Sequence, residues 1–290
     1  MQIYLNGNRT DAANATISAF DLGFTMGVTV TEQIRTFGRK TPLLDRHLDR
    51  FFGGLKIIGL MLPVERSELK SQICDLVTLN GTSLAEADEL GIGVCATPGI
   101  ASAYGQTNAG PTTLVYTYPL HADKQAENFK TGIRLTSVAT QEIPAEAVPK
   151  ELKCRSRMHY YLAEQEAQAI DPQSRALLNN VEGFVAEGTT ASVVMIQAGR
   201  LVAPVKETVL PGVTLALVIE LAKQRGIPVQ RRDISIHEFE NASEVMWLAT
   251  PAGIVPVTHI NQKTIGDGSV GGVTSGLVEA WNKKLNTYPK

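Results

Sequence analysis

Apolar side chains recur every three or four positions from Leu44 to Gly59, at Leu44, Leu48, Phe51, Phe52, Leu55 and Ile58. That spacing predicts an amphipathic helix, because residues three and four apart share one helical face. Glu65 to Leu79 repeats it at Leu69, Ile73, Leu76 and Val77, and Asn80-Gly81 ends it. Short apolar or β-branched runs at Gln2 to Leu5, Thr29 to Phe37, Gly91 to Ala96 and Thr112 to Tyr118 predict strands. Asn6-Gly7 and Gly38 supply the turns.

In the second half, Ile133 to Ala139 reads as a strand and Tyr160 to Ala169 as a helix. Ala176 to Glu182, Phe184 to Val185 and Ser192 to Gln197 read as antiparallel strands around short turns. Pro211-Gly212 opens a helix over Val213 to Arg225, Val245 to Ala249 is a strand, and Val273 to Asn282 is a last helix. Strands and helices mix without regular βαβ alternation, so the fold class is α+β rather than a doubly wound sheet. Asn108-Ala109-Gly110-Pro111 reads as a joint, and so does Pro119 to Asn128, which is polar and without period. The division expected is a small N-terminal α+β domain over 1–121, a linker over 122–130 and a C-terminal domain over 131–290.

Length agrees, since 290 residues make about two domains. Lys and Arg total 27 against 29 Asp and Glu, a net charge of −2, so no basic excess points to nucleic acid. No apolar run is long enough for a transmembrane helix, and Met1 to Thr10 lacks a signal pattern, so no membrane role is expected. Cys74, Cys95 and Cys154 form neither a metal motif nor a disulfide framework, which fits reduced thiols in the cytoplasm. The five histidines show no zinc-hydrolase spacing, and no metal site is expected. Dinucleotide and P-loop glycine motifs are absent from the sequence.

Several residues carry candidate chemistry. The helix after Leu210-Pro211-Gly212 offers the N–H groups of Gly212, Val213 and Thr214 to an anion such as phosphate, plain capping being the alternative. Lys153, beside Arg155 and Arg157, is a candidate nucleophile, although a basic cluster before a helix also suits a solvated surface. Glu187 could cap, lie on the surface or partner a protonated ring nitrogen. Arg50 could reach a phosphate or snorkel at the surface, and Thr250 is a further single candidate.

Their order along the chain is more informative. Tyr4-Leu5-Asn6-Gly7, Phe20-Asp21-Leu22-Gly23-Phe24, Thr31-Glu32-Gln33-Ile34-Arg35 and Arg46-His47-Leu48-Asp49-Arg50 run through the first half. Lys153, Ala186-Glu187-Gly188 and Leu210-Pro211-Gly212-Val213-Thr214 follow in the second. This series resembles, nearly end to end, the class IV, fold-type IV pyridoxal-phosphate aminotransferases, a family of branched-chain aminotransferases, D-amino-acid aminotransferases and aminodeoxychorismate lyases. The resemblance implies pyridoxal 5′-phosphate (PLP) as cofactor and a larger C-terminal domain with a β-barrel-like core. Lys153 takes the place of the Schiff-base and proton-shuttling lysine, and Glu187 that of the pyridine-nitrogen partner. Arg50, Val213, Thr214 and Thr250 would hold the phosphate. Arg35, Arg157 and Ala252 fall on the substrate side. The partners implied are an amino acid, a 2-oxo acid and a second copy of the chain in a homodimer.

Departures from the family pattern bear on substrate. Thr31, Met26 and Leu22 replace frequent aromatic or arginine residues, and Arg157 stands where branched-chain enzymes have a tyrosine, as in some aminodeoxychorismate lyases. Cys95-Ala96-Thr97-Pro98-Gly99 lacks the arginine usual in D-amino-acid aminotransferases. Pro251 has no N–H where branched-chain enzymes offer one to the substrate carboxylate. The expectation is transfer from a branched-chain or other apolar L-amino acid to 2-oxoglutarate. The alternatives are 4-amino-4-deoxychorismate lyase and, further off, a D-amino-acid aminotransferase or a PLP-binding protein without turnover.

Overall fold

The computed structural model describes residues 1–85, 88–101 and 110–286. Asn108 and Ala109 of the first expected joint lie outside the described residues. The chain divides into two compact units.

The first unit holds Met1–Ala122 and, from further along, Glu151–Ser156. Its strands are β1 (Gln2–Leu5), β2 (Asn8–Asp11), β3 (Val30–Arg35), β4 (Glu89–Thr97) and β5 (Thr112–Leu120). They form an antiparallel sheet in the order β2-β1-β5-β4-β3. Asn6 and Gly7, both at positive φ (51° and 76°), turn β1 into β2 as a two-residue hairpin requires. The helices are a short α1 (Leu22–Thr25), α2 (Leu44–Ile57) and α3 (Arg66–Gly81). The apolar stripes of α2 and α3 pack Leu48, Phe51, Leu69 and Ile73 against Val30, Ile34, Ile92 and Val94. On the opposite face Gly91 and Gly93 pair with Tyr118 and Tyr116, whose rings lie where a Cβ would stand, 2.2 Å from each Cζ. Any side chain at those positions would displace the phenols.

The second unit holds Asp123–Lys150 and, among the described residues, 157–286. Its elements are α4 (Ala122–Thr131), β6 (Ile133–Ser137), α5 (Met158–Ile170), β7 (Ser174–Asn179), β8 (Val185–Gly188), β9 (Ala191–Gln197), β10 (Arg200–Ala203), α6 (Val213–Gln224), β11 (Val229–Arg231), α7 (Ile236–Glu240), β12 (Glu244–Ala249), β13 (Gly253–Ile260), β14 (Lys263–Thr264) and α8 (Gly272–Asn286). Strands β9, β12, β13, β6, β7 and β8 are neighbours in that order, and β8 pairs back to β9, closing a six-stranded barrel. The pairs β13–β6 and β6–β7 are parallel and the others in the ring antiparallel. Leu135, Leu177, Val193, Met195, Val245, Trp247 and Val257 fill its core. Small residues Ala163 and Ala167 bring α5 close to Ala176 and Leu178 of β7.

Two features depart from the expected division. Residues 122–130, read as an aperiodic linker, lie within α4, which buries no residue and so carries no apolar stripe to reveal it. Glu151–Ser156 belongs to the first unit rather than to a domain running over 131–290. Hydrogen bonds to the first unit explain why. The Thr31 N–H donates to the Lys153 carbonyl (2.8 Å), and the Arg155 N–H to Thr29 Oγ1 (2.7 Å). Ser156 Oγ donates to the Gly27 carbonyl (2.7 Å), and Leu152 packs on the α2 and α3 core.

Candidate active site

In the first unit, the two-residue period of β3 points Val30, Glu32 and Ile34 toward α2. His47 and Arg50, three apart on α2, meet Glu32 from above. Arg50 donates from Nε to Oε2 (2.9 Å) and from Nη2 to Oε1 (2.7 Å), and His47 Nδ1 lies 3.1 Å from Oε1. Burial alone would raise the Glu32 pKa, but Arg50 and His47 hold it far below the ordinary carboxylate range. Burial pushes His47 the other way, toward the neutral ring, and the charge of Lys153 adds to that lowering. Lys153 is thereby placed in the electrostatic surroundings of the Glu32–His47–Arg50 group, with its main chain fixed to β3 through Thr31.

Arg35, read as a substrate contact, is buried. It donates from Nε to the Thr36 carbonyl (3.1 Å) and lies 4.4 Å over the Phe37 ring. Burial lowers its pKa to about 10, with Glu89 and Tyr118 opposing, so it stays charged at neutral pH. On the same sheet face Gln33 donates to Tyr118 Oη (2.6 Å) and Arg155 to Tyr116 Oη (3.0 Å). Sequence reading missed this tyrosine pair, although glycines across from aromatics in β4 and β5 were visible in the sequence.

In the second unit, Glu187 sits on β8 within the barrel wall and is buried. Tyr160 Oη, from α5, donates to its Oε1 (2.8 Å), and the Leu210 N–H donates to Oε2 (3.3 Å). Burial and the nearby charge of Glu142 push the Glu187 carboxyl up to about 7, and the two donors work against that rise. Glu142 pairs with Lys150 Nζ (2.9 Å) and lies 3.6 Å from His159 Nε2. His159 in turn leans on the Tyr160 ring, centroids 4.2 Å apart. Tyr160, His159, Glu142 and Lys150 are isolated polar residues in the sequence, and no motif there singles them out.

The start of α6 is the other polar feature. Its first main-chain bond runs from the Ala216 N–H to the Gly212 carbonyl, so the N–H groups of Val213, Thr214 and Leu215 precede any intrahelical acceptor. Gly212 caps the helix without a side chain, and a Cβ there would lie 2.6 Å from Ser192 Oγ. Thr214 Oγ1 and Thr250 Oγ1 stand 3.4 Å apart. Two hydroxyls and unbonded N–H groups at a helix N-terminus form a cradle for an anion. The structure thus brings Val213, Thr214 and Thr250 together. Ala252 donates its N–H to the Ala249 carbonyl (3.1 Å) and packs its methyl on the barrel core, so its N–H is already engaged. Arg157, at the N-cap of α5, lies 5.8 Å from the Tyr160 ring centroid.

The profile of the Amino-transferase class IV family matches residues 29–260. A Methanocaldococcus jannaschii protein, provisionally named a branched-chain-amino-acid aminotransferase, is 30% identical over 96% of this chain and 94% of its own. The D-alanine aminotransferase of Bacillus licheniformis is 27% identical over 98% of this chain and 97% of its own. Among solved structures, the T.th. branched-chain amino acid aminotransferase with pyridoxamine 5′-phosphate superposes with a TM-score of 0.89 at 26% identity, covering 99% of this chain and 95% of that one. The Escherichia coli branched-chain enzyme shares the fold, with a TM-score of 0.84 at 22% identity over 97% of this chain and 92% of that one. The chain belongs to the class IV aminotransferases, enzymes that use pyridoxal 5′-phosphate.

Proposed function

We propose that this enzyme moves the amino group of a branched-chain or other apolar L-amino acid to 2-oxoglutarate. The observation that carries the cofactor chemistry is the pairing of a buried acid, Glu187, with an anion cradle at the start of α6 in the same unit. That donor set suits a phosphate monoester and a protonated ring nitrogen. Val213 and Thr214 N–H groups and the Thr214 and Thr250 hydroxyls would hold the phosphate, with Arg50 as the further candidate cation. Glu187 would pair with the pyridine nitrogen and keep it protonated. Bound PLP supplies an electron sink for charge developing at the substrate Cα. Lys153 would hold PLP through its Nζ, and the same amine would take the proton from the substrate Cα.

The substrate class is supported by the branched-chain relatives and by the lack of an arginine in Cys95-Ala96-Thr97-Pro98-Gly99, the segment where D-amino-acid enzymes usually carry one. With Pro251 and Ala252 offering no donor, Arg35 and Arg157 are the proposed carboxylate partners. A second reading, elimination of pyruvate from 4-amino-4-deoxychorismate, is favoured by Arg157 alone. The active form we propose is a homodimer in the cytoplasm, supported by exposed Phe24 and Met26 and by three cysteines that form no disulfide.

A half-reaction screen tests this. Single amino acids are added to the PLP form, and absorbance is followed toward the pyridoxamine form. Apolar L-amino acids should convert it and Lys153→Ala should not react. Pyruvate release from aminodeoxychorismate without an acceptor would replace transamination by the lyase reaction.

A further inference from the structure

The inference rests on Glu187 as the partner of the cofactor's ring nitrogen. Its two carboxylate oxygens each accept one hydrogen bond, from Tyr160 Oη at 2.8 Å and from the Leu210 N–H at 3.3 Å. A carboxylate offers about four lone-pair positions, so two donors leave room for a third, cationic one. The two donors come from different elements, a helix and a loop, and between them they fix the plane of the group.

The environment of Tyr160 is unusually charged for a largely buried phenol. Arg157 lies 5.8 Å from one side of its ring and His159 4.2 Å from it. Behind His159 stands Glu142, paired with Lys150 at 2.9 Å. Neither Glu142 Oε2 nor His159 Nε2 makes a hydrogen bond among the described residues. Burial would raise the Glu142 carboxyl, but His159 and Lys150 hold it below its ordinary range, so it keeps negative charge near Glu187, and its repulsion, partly offset by Lys150, acts against the ionised form that a protonated ring nitrogen needs. The Tyr160 hydroxyl is the side-chain donor that opposes this repulsion.

We propose that Tyr160 is a positioning residue for the cofactor. Its phenol holds Glu187 ionised and correctly oriented, and so sets how firmly the pyridine nitrogen is gripped. The competing possibility is a phenol that has simply found an acceptor on burial.

The test compares two probes, PLP and its 1-deaza analogue, in which a C–H replaces the ring nitrogen. Both carry the phosphate and both react with Lys153, so their difference isolates the Glu187 pairing. The wild-type protein should bind PLP more tightly than the analogue. In Tyr160→Phe the Kd for PLP should rise about tenfold, as for loss of a hydrogen bond to a charged group, while the analogue stays within about twofold. Equal losses for the two probes, or none for PLP, would overturn the proposal. Site-specific 3-fluorotyrosine at position 160, nearly isosteric and a stronger donor, covers a Tyr160→Phe protein that does not fold. It should tighten PLP alone, by about twofold, and unchanged PLP binding there would overturn the proposal. A wild type that prefers neither probe would instead remove the Glu187 pairing, and one that binds no PLP would remove the reading on which it rests.

Discussion

Arg50 grips both carboxylate oxygens of Glu32, at 2.9 and 2.7 Å, deep beneath the sheet of the first unit. A paired guanidinium is held in one orientation, so Glu32 sets the direction in which Arg50 faces. Glu32→Gln keeps the shape but removes the charge that pairs with Arg50. Loss of one partner of a buried pair costs about 3 kcal/mol, read as a lower urea midpoint with an unchanged slope. Because the Glu32 carboxyl is held below its ordinary range, this contribution is full above that range and fades as the pH falls into acid.

Glu187 predicts the opposite pH dependence. An unfolded Glu titrates near 4.5, and in the fold the group is pushed up to about 7. Between those values the folded chain binds more protons, so this group's contribution falls as pH rises and levels off above about 7. The total is roughly 3 kcal/mol at most. Urea unfolding of cofactor-stripped protein at pH 5 and pH 8, wild type minus Glu187→Gln, should show the wild type losing ground at the higher pH. A pH-independent difference would show that the carboxyl titrates normally.

Thr214→Val and Thr250→Val remove hydroxyls that stand 3.4 Å apart at the α6 N-terminus. Each should weaken PLP about tenfold, and pyridoxal without its phosphate hardly at all. Fluorescence titration with the two compounds checks this. Equal weakening of both would place these hydroxyls elsewhere.

Gly93→Ala drives a methyl into the Tyr116 ring, which stands 2.2 Å from where the Cβ would be. The phenol must move and Arg155 loses its 3.0 Å bond to it. Overpacking of this kind costs about 1–3 kcal/mol, visible as a lower Tm. Gly38→Ala, at a turn with open space around it, carries only the strain of its φ of 56° and should cost less.

The local parts of this molecule were legible in the sequence. Leu48, Phe51, Ile73 and Leu76 announce α2 and α3 because one-sided burial writes a period into the chain. The cradle at Gly212 to Thr214 is legible because a helix start is a local event. Tyr160 was not, since its role depends on Glu187 27 residues away and a lone tyrosine in a helix has no signature. The membership of Glu151–Ser156 was equally hidden. It rests on bonds to Thr29 and Gly27, separated by 126 and 129 positions, each joining one hydroxyl to one distant main-chain group, and such a pairing writes no period into the sequence.

That six-residue return has a consequence for how the protein can be taken apart. The small unit is not a contiguous stretch of gene: a fragment ending at Ala122 would lack Glu151–Ser156 and leave the Thr31 N–H and the Thr29 hydroxyl without their partners. The segment that completes it is also the one bearing Lys153. Modular exchange of this lobe between relatives would therefore have to carry the Lys153 segment with it, so the scaffold and the proposed nucleophile are inherited together.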